Sequence, residues 1–337
     1  MFHYKDKKIN FDDVLIYPKP SRYNSRKEIN LDTKITFPKS RLSWEGVPIM
    51  ASNMDHVGTF SMGMQLQKFR ICNAVSKFYT KDEWVIAIKN GLNMDFNFLT
   101  FGLDEIKIID SYISYISSKT NYIPKYIVFD VPNGYIKKFK DVIKETRRAF
   151  PKLGIIAGNV VTPEGVKSLI DAGSDGVKVG IGSGNVCNTT NVTGIGYPQL
   201  SAVIECSKEA KKQNSFLVSD GGIRSSADII KAFAGGAGFV MLGSMFSGHE
   251  EGGGPITKID NKKFRKLYGM SSTEAMNKHY GKVAEYRASE GESILVEDKG
   301  TIINTVNQIL GGIRSACTYI DAKNIGEIEN KSDFILV

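Results

Sequence analysis

Residues 154–182 read GIIAGNVVTPEGVKSLIDAGSDGVKVGIG. Two short apolar runs, Gly154–Val160 and Gly176–Gly182, flank a segment with complete helix punctuation. Thr162 can cap a helix, Pro163 stands at its first position, and Gly173 lies just beyond its end. Most runs of this kind in the chain are continuously apolar rather than alternating, as expected of parallel strands buried on both faces. The stretch is therefore a strand–helix–strand unit. Working outward, six further runs of the same kind follow the same rhythm: Val47–Asn53, Ile71–Ser76, Asn97–Gly102, Tyr126–Val131, Phe216–Gly222 and Gly238–Ser244. Eight such strands alternating with helices predict an α/β fold, a closed (β/α)8 TIM barrel, with an open doubly wound sheet as the alternative. Tyr135–Phe150 and Pro198–Lys212 carry helical apolar spacing, and Ser225-x-x-Asp228 reads as a capping box before Ile229, Ile230 and Phe233. Residues 1–44 and 251–337 are long for tails and should pack on the barrel. The expected organisation is one barrel domain over 1–337, core strands about 47–244, with no inserted regulatory domain.

Composition narrows the function. Of 337 residues, 42% are hydrophobic and 24% charged, which excludes a disordered chain. No apolar run approaches the ~20 residues of a membrane span, and the charged N-terminus is not a signal peptide. The C-terminal Phe-Ile-Leu-Val matches no address signal. Four scattered cysteines (Cys72, Cys187, Cys206, Cys317) contain no C-x-x-C, so a reducing cytoplasm is the default. Four scattered histidines without H-E-x-x-H disfavour a zinc hydrolase. The net charge of +8 suits an anionic ligand, although most of it reads as solvated lysine surface. No basic block with interleaved aromatics speaks for nucleic acid.

A barrel works at the C-terminal ends of its strands, and phosphate often binds after strands seven and eight. Here those ends carry Asp220-Gly221-Gly222 and Gly243-Ser244, with a helix from Ser225 behind them. Glycine turns and a helix N-terminus suit phosphate oxygens. Asp130 and Gly158-Asn159 end strands four and five. After strand six runs Gly180-Ile-Gly-Ser-Gly-Asn-Val-Cys187-Asn-Thr189-Thr190, a long loop extending to Pro198 before the next helix. A glycine-flanked cysteine at a barrel mouth, with hydroxyl residues behind it, is a candidate nucleophile. Cys72 within a strand and Cys206 within a helix read as inert core thiols. Glu285-Tyr-Arg-Ala-Ser-Glu-Gly291, in the tail, reads by itself as a charged loop.

Together with Ser52-Asn-Met-Asp55, Val57-Gly-Thr-Phe60, Asp130-Val-Pro-Asn-Gly-Tyr135, Thr193–Ala202, Tyr268-Gly-Met-Ser-Ser272 and Gly311-Gly-Ile-Arg-Ser315, these motifs resemble the IMP dehydrogenase/GMP reductase family over nearly the whole chain. Absence of an Arg-Tyr pair in Ser272–Lys299 points to the reductase branch. The resemblance implies reduction of GMP to IMP and ammonia with NADPH. Cys187 would form a thioimidate with C2 of guanine, and Thr189 with Glu290 would transfer protons. The nucleotide phosphate would meet Asp220, Gly221, Gly222, Gly243 and Ser244. Its ribose and base would meet Gly269, Met270 and Ser271, then Arg287, Ala288, Ser289, Glu290 and Gly291. NADPH would meet Lys77, Asp130, Val131 and Pro132, then Ile181, Gly182, Met270 and Tyr286. It would also contact Ser315, Ala316, Cys317 and Thr318, with Ser25 and Arg26 supplied by a neighbouring subunit of a homotetramer. A monovalent cation, K+ by resemblance, would sit among backbone carbonyls of Gly182, Gly184, Cys187 and Thr190.

The chain also departs from the family pattern. Ser183, Asn185 and Asn188 alter the cysteine loop, and Thr190 stands where arginine is usual. Ser76 and Phe78 flank Lys77 where histidines are usual, and Pro132 replaces alanine. Asp220-Gly-Gly-Ile-Arg224 and Gly243-Ser244 look more like IMP dehydrogenase, which keeps oxidation of IMP to XMP with NAD as the runner-up. A catalytically silent nucleotide-binding barrel is the reading from a different class.

Overall fold

A computed structural model describes residues 7–282 and 288–337. Eight parallel strands close into a barrel: β1 Leu42–Ala51, β2 Ile71–Ala74, β3 Asn97–Phe101, β4 Tyr126–Asp130, β5 Gly154–Val160, β6 Gly176–Val179, β7 Phe216–Asp220 and β8 Phe239–Leu242. Closure comes from β8 pairing with β1, with Val240 opposite Ile49 and Leu242 opposite Ala51. The fold is the (β/α)8 barrel that the strand–helix rhythm predicts.

The punctuation read from the sequence holds. Thr162 caps helix Pro163–Ala172, its hydroxyl accepting from the Gly165 amide, and Gly173 ends it at φ 117°. Such a cap is worth ~1 kcal/mol. Ser225 and Asp228 form the reciprocal capping box of helix Ser226–Ala234. The two amphipathic segments fold as helices Lys137–Ala149 and Gln199–Lys212.

The barrel's lower end differs from expectation. β1 starts at Leu42, five residues early, because a strand at Thr33–Phe37 pairs antiparallel with its first half. This hairpin plugs the barrel. Phe37 is fully buried, its ring 4.9 Å from those of Tyr126 and Phe216, and Trp44 lies 4.9 Å from Phe239. Inward-facing Met50, Cys72, Phe98, Val128, Ile156 and Val218 continue this inner core, which is distinct from the larger one between strands and helices. Buried Asp175 locks the hairpin to the wall. Its carboxylate accepts from the Lys39 and Ser40 amides (2.7 and 2.9 Å), the Ile155 amide (2.9 Å) and the Arg147 guanidinium (2.6 Å).

The tails do pack on the barrel. Val14–Ile16 pairs antiparallel with Phe334–Leu336. After β8, strands β9 Ile256–Ile259, β10 Lys262–Tyr268 and β11 Ser293–Glu297 form an antiparallel sheet. Between β10 and β11 the chain makes helix Thr273–Tyr280 and returns as a flap toward the barrel mouth. Helix Ile302–Tyr319 then lies against Ser226–Ala234. Among the described residues, no helix is long and apolar enough to cross a membrane.

Candidate active site

The C-terminal ends of the strands open into a cavity of about 750 Å³, within the range of small-molecule sites. Lys77, Asp130, Gly180 and Asp220 line it from the barrel, and Gly269, Met270 and Glu290 from the flap.

Cys187 is partly exposed in this cavity. Its Sγ lies 3.4 Å from Thr189 Oγ1, which donates in turn to Glu290 Oε2 at 2.9 Å. A thiol, a hydroxyl and a carboxylate thus form one hydrogen-bonded line across 101 residues of sequence between Thr189 and Glu290. Backbone pairing holds it. Asn188 N donates to Glu290 O (2.8 Å), Glu292 N to Val186 O (2.9 Å) and Glu290 N to Ser271 O (3.1 Å). Three strands of backbone meet here, so side chains are excluded. A Cβ on Gly269 would stand 2.7 Å from Val186 O, and one on Gly291 would stand 2.8 Å from Ser272 N. The loop after β6 is also less irregular than its sequence suggests, because Thr189–Thr193 forms a short helix closed by Gly194 at φ 71°. The other cysteines are buried, and desolvation raises all three thiol pKa values, that of Cys317 to about 12.

Beneath the cavity lies a group that the sequence reading missed. Lys178 on β6 is 1% exposed, and its Nζ donates to Asp130 Oδ1 (2.6 Å) and Asp220 Oδ2 (2.8 Å). Asn53 donates to Asp130 Oδ2 at 3.0 Å, and Asn159 to Asp220 Oδ2 at 2.9 Å. Burial alone would raise the Asp130 pKa, but Lys178, then Asn53 and Lys77, hold it below the usual carboxylate value. Burial likewise opposes charge on Lys178, and the two carboxylates overcome it and raise its pKa. One cation therefore ties together the ends of β4, β6 and β7. A lysine inside an apolar run was the available signal.

The remaining expected residues divide. Of the nucleotide set, Asp220, Gly221, Gly269, Met270, Ser271, Ala288, Glu290 and Gly291 line the cavity, whereas Gly222, Gly243, Ser244 and Ser289 do not. Gly221 and Gly222 adopt φ of 101° and 75°, left-handed turns that favour glycine. At the helix N-terminus the Asp228 amide already donates to Ser225 Oγ, and the Asp228 carboxylate accepts from the amides of Arg224 and Ser225 just before the helix. Of the cofactor set, Lys77, Asp130, Val131, Pro132, Ile181, Gly182 and Met270 line the cavity. Ser315, Ala316, Cys317 and Thr318 do not. They lie on helix Ile302–Tyr319, which packs against the turn that Ser25 and Arg26 open, and neither segment lines the cavity. Tyr286 and Arg287 fall outside the described residues. Met54, Met276 and Tyr280 line the cavity without having been singled out.

Fold and site together define a (β/α)8-barrel enzyme with its functional groups at the C-terminal mouth. The family model described as the IMP dehydrogenase/GMP reductase domain matches residues 107–337. A GMP reductase of Caenorhabditis elegans is 46% identical over 332 residues, covering 98% of this chain and 92% of the relative. One from Klebsiella pneumoniae subsp. pneumoniae is 46% identical over 339 residues, covering 99% and 96%. One from Phytophthora infestans is 44% identical over 330 residues, covering 98% and 91%. The chain belongs to the IMP dehydrogenase/GMP reductase family.

Proposed function

We propose that this barrel is one catalytic domain that converts GMP to IMP and ammonia with NADPH, through a thioimidate on Cys187. The observation that carries this reading is the line Cys187–Thr189–Glu290 at 3.4 and 2.9 Å. Guanine C2 is a poor electrophile, so covalent attack coupled to proton transfer divides one hard step into easier ones. Cys187 passes its proton through Thr189 to Glu290, and its sulfur bonds to C2. The C2–NH2 bond breaks as the relay returns a proton to the departing ammonia. When bound, the reduced nicotinamide supplies a hydride to C2. The C2–S bond then breaks, IMP forms, and Cys187 leaves as the thiolate. Asp220 and Gly221 would hold the nucleotide, while Lys77 and Asp130 would hold the cofactor's ribose and nicotinamide end. All four line the same cavity.

K+ would sit on the carbonyls of Gly182, Gly184, Cys187 and Thr190. Those of Gly184 and Thr190 already accept amide hydrogens, from Cys187 at 3.1 Å and Gly194 at 2.9 Å, and each keeps a second lone pair for a cation. Ser315 to Thr318, like Ser25 and Arg26, would serve a neighbouring subunit's cofactor, since these segments pack together away from the cavity. Exposed Leu15, Tyr17, Tyr319 and Leu336 near them support a homo-oligomer, a tetramer by family resemblance. A cytoplasmic location goes with this chemistry, which needs a reduced thiol and soluble nucleotides.

The test is to mix protein with GMP and NADPH and follow loss of reduced nicotinamide alongside IMP. Turnover of IMP with NAD to XMP, with GMP and NADPH inert, overturns the reading in favour of the dehydrogenase. That alternative draws on Asp220-Gly-Gly-Ile-Arg224 and Gly243-Ser244.

A further inference from the structure

The flap helix Thr273–Tyr280 has eight residues, of which Ala275 and Met276 are buried. A helix this short is marginal by itself, and two buried side chains give it little apolar anchorage. What seats it is a side-chain cluster at the ends of β1 and β2. Asp55, its side chain 4% exposed, accepts at Oδ2 from Tyr268 Oη (2.6 Å) and Lys278 Nζ (2.9 Å), and His279 Nε2 stands 2.6 Å from the same oxygen. Its other oxygen accepts from Ser76 Oγ at 3.3 Å. Phe78 stacks flat on the His279 ring, centroids 3.4 Å apart and planes within 5°, and meets Tyr280 edge-on at 6.1 Å. Ser76 and Phe78 flank Lys77, so the seat adjoins a residue of the cavity lining.

From the seat, the chain leads to the relay. Tyr268 is the last residue of β10, and Gly269 N bonds Glu292 O at 3.0 Å. Thr273 N, at the start of the flap helix, bonds Ser289 Oγ at 3.1 Å, next to Glu290. Moving the helix therefore pulls on Ser289, next to the carboxylate, through Thr273 N, and the strap before the helix grips Glu292, two residues beyond it. We infer that Phe78 and Asp55 are positioning residues, which hold the flap helix against the barrel and thereby hold Glu290 on Thr189. The inference rests on the proposed role of Glu290 in the relay. Phe78 touches the flap helix and lies outside the cavity lining, so it acts through the flap.

The experiment uses Phe78→Ala, a half-buried loop position whose truncation spares the barrel core, and Phe78→His, which keeps a flat ring. Two readouts are taken: hydrogen exchange of amides 273–280, and single-turnover ammonia release from GMP. Phe78→Ala should speed exchange and slow ammonia release, each by about two- to twelve-fold, the worth of one aromatic pair. Phe78→His should restore both. In a Glu290→Gln background the effect of Phe78→Ala on release should vanish, because the group being positioned is gone. Unchanged exchange, or a rate loss that persists at full size in the Glu290→Gln background, overturns the inference. If the parent protein releases no ammonia from GMP, the proposed function fails, and the exchange arm still decides whether Phe78 seats the flap.

Discussion

Lys178→Met removes the cation and keeps most of the side-chain volume. Nζ is 2.6 Å from one carboxylate and 2.8 Å from the other, and the lysine is 1% exposed. The substitution leaves Asp130 and Asp220 facing each other with only Asn53 and Asn159 as side-chain donors. Breaking a buried ion pair by removing one partner costs ~3–5 kcal/mol, against a typical total stability of ~5–15 kcal/mol. Equilibrium urea unfolding at neutral pH should show a loss of that size. The pH dependence fixes the sign. Asp130 has a depressed pKa, so its contribution is present above the unfolded value and lost as pH falls through the folded one. Lys178 has a raised pKa, so its contribution is present below the unfolded value and lost as pH rises through the folded one. The parent should therefore keep this contribution across the neutral range. In the variant, Asp130 keeps its desolvation and loses its cation, so it takes up a proton at higher pH. The variant's deficit should shrink as pH falls toward ~5. A deficit below ~1 kcal/mol at neutral pH, or one that grows on acidification, refutes the picture of a charged, desolvated triad.

Three other outcomes follow from the geometry. Cys187→Ala should abolish turnover while calorimetric GMP affinity stays within a few-fold of the parent, because the glycine turns of the nucleotide side are separate; near-normal turnover would remove covalent catalysis. Glu290→Gln should slow single-turnover ammonia release by ~10²–10⁴-fold and change NADPH affinity little; a rate within a few-fold of the parent would take the carboxylate out of the relay. Asp175→Ala strips buried anchors from the plug hairpin and Arg147, and should lower stability by ~3–5 kcal/mol, read by urea unfolding. Its KM values should match the parent's, since Asp175 lies outside the cavity lining.

The barrel is legible because its strands are buried on both faces. A run such as Gly154–Val160 needs no partner to be recognised, and Thr162, Pro163 and Gly173 mark the helix that follows. The plug strand escapes because Thr33–Phe37 alternates buried with less buried residues and pairs antiparallel, outside the repeating unit. Lys178 escapes for a different reason. Its carboxylates come from β4 and β7, 48 and 42 residues away, and only barrel closure brings them to it. The Cys187 loop stands out through its glycines. Glu290 by pattern alone sits in a charged loop, and the family resemblance, not its spacing, attached it to Cys187. The flap seat was invisible, since Asp55, Phe78 and His279 belong to three separate segments.

The relay's two halves also have an order in time. A ribosome makes this chain from its N-terminus, so all eight barrel strands, ending at Leu242, and the cysteine loop precede the Gly269–Ser272 and Glu290–Glu292 straps that clamp it. A growing chain that stops after β8 could close its barrel and present the Cys187 thiol, yet Thr189 would have no Glu290 carboxylate to receive its proton. Backbone pairing of Cys187 with Gly291 can form only in chains made past the flap, and the proposed proton path would form with it.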